Sequence, residues 1–226
     1  MKKKMTALLL ALALCLSPAA LAAEPFFPKV TDLPAFTDIA PTPTSGGAWY
    51  NYQSVKTTVE AGLMKGTGTA FNPGGDITLA EVAVIAARVN EKTTGYATPA
   101  QEQGQTWYDP ALAVMSHIGV SVGKDPLAKA TRADFVRILS AVLPDTMMAA
   151  INTVTSLPDT KAEDVLRFYN AGILQGNDAY GTFNGENTLR RSEVAAMLAR
   201  IINPDLRIIL NLAYSPSGRS AGETGT

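Results

Sequence analysis

The 226-residue chain has one cysteine and one histidine. The cysteine, Cys15, sits inside a leading apolar run, so neither a disulfide framework nor a cysteine-histidine zinc set can be assembled from this composition. Aromatic residues make up 7 % of the chain, which leaves aliphatic side chains to build the core. Beyond the leading run, no stretch approaches the roughly 20 apolar residues a membrane-spanning helix needs. Basic residues are not in excess, at 19 against 20 acidic, and they form no cluster apart from Lys2, Lys3 and Lys4. Nucleic acid, whose affinity rests on clustered lysine and arginine, is therefore not an expected partner. There is no His-Glu-x-x-His string. Gly66-Thr67-Gly68 lacks the lysine of a phosphate loop. Asn177-Asp178-Ala179-Tyr180-Gly181 lacks the alternating oxygen ligands of a calcium loop. No cofactor and no metal is expected.

The first 23 residues read as a secretory signal peptide. Three lysines are followed by an apolar run from Leu8 to Leu16 and by small residues at Ala20, Ala22 and Ala23. Leu14 before Cys15 argues against a lipid-anchored cysteine. Cleavage after residue 22 or 23 removes three of the 19 basic residues and leaves 16 against 20 acidic, a net charge of about −4. The expected product is secreted, has no membrane span, and is held together by its apolar core alone.

What is present is repetition. Ala61-Gly62-Leu63-Met64-Lys65-Gly66 returns as Ala171-Gly172-Ile173-Leu174-Gln175-Gly176. Phe71-Asn72 stands ten positions before Glu81, and Phe183-Asn184 stands ten before Glu193. A weaker middle copy has Ile118-Gly119-Val120 for the glycine step and Thr131-Arg132-Ala133-Asp134 for Thr78-Leu79-Ala80-Glu81, with a loop shorter by four residues. The expected division is a signal peptide over 1–23, a lead over 24–35, copies over 36–90, 104–143 and 156–202, and a tail over 203–226 that loses order after Tyr214.

Each copy predicts helix, glycine-rich loop, helix. In the second helices, Val82, Ile85, Ala86 and Val89 correspond to Phe135, Ile138, Leu139 and Val142 and to Val194, Met197, Leu198 and Ile201. All three sets follow the i, i+3, i+4, i+7 spacing of one buried helical stripe. First helices are expected from about Tyr50, Pro110 and Ala162 to Gly62, Gly119 and Gly172, where glycine suits a left-handed residue past the helix end. Such short helices must pack together to persist. The fold class is thus all-α, mainly helical, with three helix-loop-helix units in a pseudo-three-fold arrangement. The expectation is that first helices converge on the axis and second helices pack outside them.

These residues resemble the S-layer homology domain, which occurs as tandem copies in exported bacterial proteins. The first copy carries the likeness best, in Phe36-Thr37-Asp38-Ile39, Trp49, Ala61-Gly62-Leu63 with Gly66, Phe71-Asn72-Pro73 and Ile77-Thr78-Leu79-Ala80-Glu81. The family's usual string at the last place is Ile-Thr-Arg-Ala-Glu. Leu79 departs at the arginine, which Arg132 and Arg191 hold in the other two copies. Gly181-Thr182-Phe183 resembles the family's Asp-Gly-Thr-Phe turn, with Tyr180 in place of the aspartate, and Trp107 holds the tryptophan place in the second copy. The resemblance implies a non-catalytic module that binds secondary cell-wall polysaccharide, often pyruvylated, and anchors proteins in the cell wall or S-layer. By that likeness Arg132, Arg191, Arg190, Trp49, Trp107, Asp38, Asp159, Gly181 and Thr182 are the glycan-binding candidates.

Read individually, several of these residues keep two readings. Thr78 with Glu81, and Thr131 with Asp134, have capping-box spacing and need no functional role. Arg132 and Arg191 fall in first helical turns, where the helix dipole disfavours a cation, so capping does not require them. They either face solvent or an aspartate, or join helix-end amides to hold an anion. Arg191 is expected to be the stronger site because a short loop precedes Arg132. Trp49 and Trp107 either staple a helix to the core or offer a sugar-stacking face. Asp38 and Asp159 either cap or orient an arginine. His117 aligns with Glu60 and Asn170 and reads as a surface residue. Two rival functions stand beside wall binding. One is a wall-glycan enzyme using Glu81 and Glu193. The other is a surface protein-interaction or lattice module whose glycan site has decayed.

Overall fold

The computed structural model describes residues 27–41 and 52–213. The proposed signal peptide, Trp49, and the chain beyond residue 213 lie outside the described residues. Within them the chain is helical: α1 (Tyr52–Glu60), α2 (Leu79–Thr94), α3 (Asp109–His117), α4 (Arg132–Ser140), α5 (Glu163–Asn170) and α6 (Arg191–Ile202), with single 3-10 turns at Asp145–Met147 and Pro204–Leu206. Extended pairing among the described residues is limited to four isolated bridges.

The helix boundaries follow local chemistry. Gly62, Gly119 and Gly172 adopt φ of 73°, 76° and 72° just past α1, α3 and α5, as a left-handed residue there requires. Thr78 and Thr131 cap α2 and α4: each hydroxyl accepts the amide of Glu81 or Asp134, at 3.2 and 3.1 Å, and each carboxylate accepts the threonine amide in return. At α6, where Arg190 has no hydroxyl to offer, its carbonyl accepts the Glu193 amide at 3.0 Å while Glu193 still accepts the Arg190 amide at 2.9 Å. α2 runs four residues past the first copy's expected limit and closes on Gly95, at φ 77°.

All twelve stripe residues are buried, eleven of them within α2, α4 and α6 and Val142 in the turn just past α4. At about 1.5–3 kcal/mol for each large aliphatic or aromatic side chain removed from water, these stripes are the principal source of stability. The packing order is cyclic: α2 lies on α3, α4 on α5, and α6 on α1. Each second helix therefore packs on the first helix of the next pair, and the last pair closes on the first.

The centre is made by backbone. The Ile77 amide donates to the Leu189 carbonyl, the Leu189 amide to Ala130, and the Ala130 amide to Ile77, at 3.0, 3.0 and 2.9 Å. The segments entering α2, α4 and α6 thus close a three-membered ring. The arrangement reverses the expected layering. The second helices start at the centre, and the first helices pack on them rather than converging on one another. The physical reason lies in the stripes, since the second helices carry the continuous apolar faces and take the interior.

Candidate functional site

The ring sets the chemistry at the helix starts. The first two amides of α2 donate to the carbonyls of Ala128 and Pro126, those of α4 to Asn187 and Gly185, and those of α6 to Gly75 and Pro73. Each helix start is plugged by the loop of the neighbouring pair. The amides expected to help hold an anion are already satisfied, so binding at these positions falls to side chains.

The two arginines are placed alike and paired differently. Arg191, at the start of α6, reaches into the first pair. Its Nε donates to the Phe71 carbonyl at 3.0 Å and its terminal nitrogens to Glu81 Oε1 at 2.7 Å and the Lys65 carbonyl at 2.6 Å. Its guanidinium lies 4.9 Å from the Phe71 ring centroid. The side chains of Arg191 and Glu81 are only 12 % and 29 % exposed, so the ion pair is largely shielded.

Arg132, at the start of α4, reaches into the third pair in the same way. Its Nε donates to the Phe183 carbonyl at 2.7 Å and its guanidinium lies 5.5 Å from that ring. Here the likeness stops. Arg132 is 7 % exposed, yet no carboxylate among the described residues lies within ion-pair distance. Glu193, the counterpart of Glu81, is exposed and spends one oxygen on the Arg190 amide.

Each arginine lines a cleft. The Arg191 cleft, of about 390 Å³, is bordered by Glu81, Arg88, Trp107 and residues 65–67. The Arg132 cleft, of about 170 Å³, is bordered by Glu193, Arg200 and residues 175–177. Arg88 and Arg200 correspond to one another and anchor on matching carbonyls, Leu63 at 2.8 Å and Ile173 at 2.7 Å. Burial lowers the pKa of both, and for Arg88 the nearby Glu91 opposes that shift. Sequence reasoning missed this second pair of cations. Its signal was present in the identical spacing of seven between Glu81 and Arg88 and between Glu193 and Arg200. At the third equivalent position Leu79 is buried against Gly123, where an added Cβ would stand 3.2 Å from Leu79 Cδ1. An apolar contact replaces the guanidinium there.

The remaining candidates divide. Asp38 accepts the amides of Phe71 and Asn72 at 2.9 and 2.7 Å, and Asp159 those of Phe183 and Asn184 at 2.9 and 2.7 Å. Both asparagines take left-handed backbone, φ 59° and 52°, so the aspartates clamp a strained turn. Each turn aims its phenylalanine carbonyl at an arginine Nε. The aspartates thus act on the arginines through the loop and do not touch them.

Trp107 is 53 % exposed, packs edge-on against Tyr108, and forms one wall of the Arg191 cleft. Of its two readings, the exposed face is the one observed. Thr182 lines neither cleft. Its carbonyl accepts the Asn177 amide at 3.1 Å, and its hydroxyl donates to Asp178 at 2.6 Å, a bond that holds the Asp178 carboxyl below its usual pKa. Gly181, at φ 78°, packs under Leu212 and accepts the Tyr169 hydroxyl at 2.9 Å. Burial pushes that phenol up to about 12. Arg190 is exposed and lines neither cleft. His117 is exposed and stacks on Tyr96 with ring centroids 4.9 Å apart.

The described residues thus form a small helical unit with two arginine-lined clefts, one of them walled by Trp107. Residues 35–83 match the family model of the S-layer homology domain, so the chain carries such a domain from the Asp38 clamp to the first turns of α2. That domain marks a cell-surface, wall-associated anchoring module. The match contains Phe71, Lys65 and Glu81, which hold Arg191. No curated protein matches the chain. No helix among the described residues is long and apolar enough to cross a membrane.

Proposed function

We propose that the protein is an exported, non-catalytic module that holds to the bacterial cell wall by binding an anionic secondary polysaccharide in the clefts at Arg132 and Arg191. The observation that carries this reading is Arg132, a buried guanidinium with no carboxylate partner among the described residues, opening with Arg200 onto a cleft. A buried charge costs several kcal/mol unless it is compensated, and a bound carboxylate, such as a pyruvyl group on a sugar, supplies the missing charge.

The ordering expected from loop length is reversed in this proposal. The walls around Arg132 come from the third pair, not from the short loop that precedes it, and Arg191 already has Glu81. The Arg132 cleft is therefore the stronger anion site, and the larger Arg191 cleft, with Trp107 on its wall, takes the adjoining sugar surface. Glu81 and Glu193 support a binding rather than a hydrolytic role. Each completes a helix start, and they lie in different clefts, so the two do not flank one bond.

The test is co-sedimentation of the mature protein with purified sacculi before and after removal of the attached polymer. Retention that disappears with the polymer supports the reading, and so does its weakening by Trp107→Ala. Retention indifferent to the polymer overturns it in favour of a surface module that binds protein.

A further inference from the structure

The third helix pair carries a segment with no counterpart among the described residues of the first pair. Residues 208–212 run extended across α5. The Ile208 amide donates to the Gly172 carbonyl at 3.0 Å, and the Asn152 side chain bonds the Ile208 carbonyl at 2.9 Å and the Leu210 amide at 2.8 Å. Gly172 is obligatory for this approach, because a Cβ there would stand 2.8 Å from the Ile208 carbonyl oxygen. Leu212 then seats on Gly181.

The first pair repeats part of the receiving surface, with Thr31 in the place of Asn152 and Thr69 in the place of Gly181. Val30 and Thr31 donate to the Glu60 carbonyl as Ile151 and Asn152 donate to that of Asn170. Val30 leans on Gly62 as Ile151 leans on Gly172, and in each case the missing Cβ would stand 2.7 Å away. At Gly62, however, an added Cβ would meet only Val30 among the described residues, and no backbone amide among them donates to the Gly62 carbonyl. The space alongside is a groove of about 840 Å³ that includes Val30, Gly62, Met64 and Gly66. Its rim also differs in charge. Lys65, Arg88, Lys92 and the acid Glu91 border it, where the corresponding third-pair positions are Gln175, Arg200, Pro204 and Asn203, so the first pair's rim is more positive by one charge.

We propose that this groove is a docking site for an extended segment of a partner protein, with alternating apolar side chains like residues 208–212 and a carboxylate beside them. The duplicate groove shows which backbone shape the surface accepts. The Gly62 carbonyl offers the same first hydrogen bond, and the two lysines select the acid.

The test titrates the full mature protein, its own tail in place, with a fluorescent synthetic peptide of residues 206–213 and with the same peptide carrying glutamate in place of Arg207. Saturable binding is expected, at least threefold tighter for the glutamate peptide at low salt. Val30→Asp, at a side chain 57 % exposed and so tolerated by the fold, should weaken both peptides at least tenfold. Lys92→Glu, at a residue that lines the groove and neither arginine cleft, should abolish the preference for the glutamate peptide. Leu127→Asp, an exposed apolar site outside the groove, should change neither. The proposal is overturned if neither peptide binds, as when another segment of the chain fills the groove. It is also overturned if Val30→Asp and Leu127→Asp act alike, or if the tail-sequence peptide binds only as tightly as the protein self-associates through its own tail. The groove shares Lys65 and Arg88 with the Arg191 cleft, whereas Val30 and Lys92 line the groove alone, so Val30→Asp and Lys92→Glu should leave wall retention unchanged and keep this test separable from the glycan reading.

Discussion

Replacing Arg191 and Arg132 with methionine, one at a time, should separate stability from binding. Methionine keeps much of the side-chain volume and the contact with the phenylalanine face while removing the charge. At Arg191 the change breaks a shielded ion pair and two further hydrogen bonds to carbonyls, and it leaves Glu81 without its partner. Charged hydrogen bonds contribute about 1.5–3 kcal/mol each, and breaking a buried pair costs about 3–5 kcal/mol. Because Glu81 is partly exposed and regains water, the net cost should be about 2–4 kcal/mol. At roughly 2–4 °C per kcal/mol for a domain of this size, the melting temperature should fall by about 4–16 °C.

At Arg132 one hydrogen bond and one ring contact are lost, but a buried cation without a partner also disappears. The two effects oppose one another, and the melting temperature should move by less than about 4 °C. Binding should show the opposite order. Arg132→Met removes a charge-assisted contact to the glycan and should weaken affinity for released wall polymer roughly ten- to hundredfold, whereas Arg191→Met should weaken it less. Calorimetric melting and polymer titration of the same two variants make the measurement. If Arg132→Met melts as low as Arg191→Met and binds polymer like the parent, Arg132 is a structural residue and the cleft is not the anion site.

Further outcomes follow from contacts elsewhere. Asp159→Ala removes two hydrogen bonds that hold the left-handed Asn184 turn; it should cost about 2–4 kcal/mol in urea unfolding and weaken polymer binding through loss of the Phe183 carbonyl geometry, with Asp159→Asn intermediate. For Asp134, burial raises the carboxyl pKa but is outweighed by the Thr131 hydroxyl, Arg137 and the Thr131 amide, so the folded value lies below the ordinary 3.8. A depressed carboxyl stabilises above its unfolded pKa and loses that contribution as pH falls through the folded value. Asp134→Asn should therefore be destabilising at pH 6, with the gap to the parent closing below about pH 3.8. Gly172→Val places a Cβ against the Ile208 backbone at φ 72°; it should unseat residues 208–212, read as faster limited proteolysis there.

Much of this molecule was legible before its structure. Period and spacing placed all six helices because twelve apolar residues obey a single helical rule and three glycines mark the same left-handed position. The capping boxes were equally readable, since they are contacts between neighbours in sequence. What escaped was long-range. The plugging of each helix start by another pair's loop, and the asymmetry between Arg132 and Arg191, arise from residues more than 40 positions away: Ala128 for Leu79, Phe183 for Arg132, and Glu81 and Phe71 for Arg191. No local pattern distinguishes an arginine with a distant carboxylate from one without. The layering escaped for a related reason, because an amphipathic stripe shows that a helix is buried without saying which neighbour buries it.

The hydrogen-bond ring at the centre bears on how the chain acquires its shape. Each helix pair contributes one amide and one carbonyl, so none can finish its bonding until residue 189 has been synthesised, and α1 waits for α6 before its apolar face is covered. Contacts such as Arg191 to Phe71, 120 positions apart, make the closing step slow relative to helix formation. A growing chain therefore stays pliable until α6 has emerged and can close on α1. The finished ring should unfold in one cooperative transition. A chain stopped after α4 would lose its first pair along with its third.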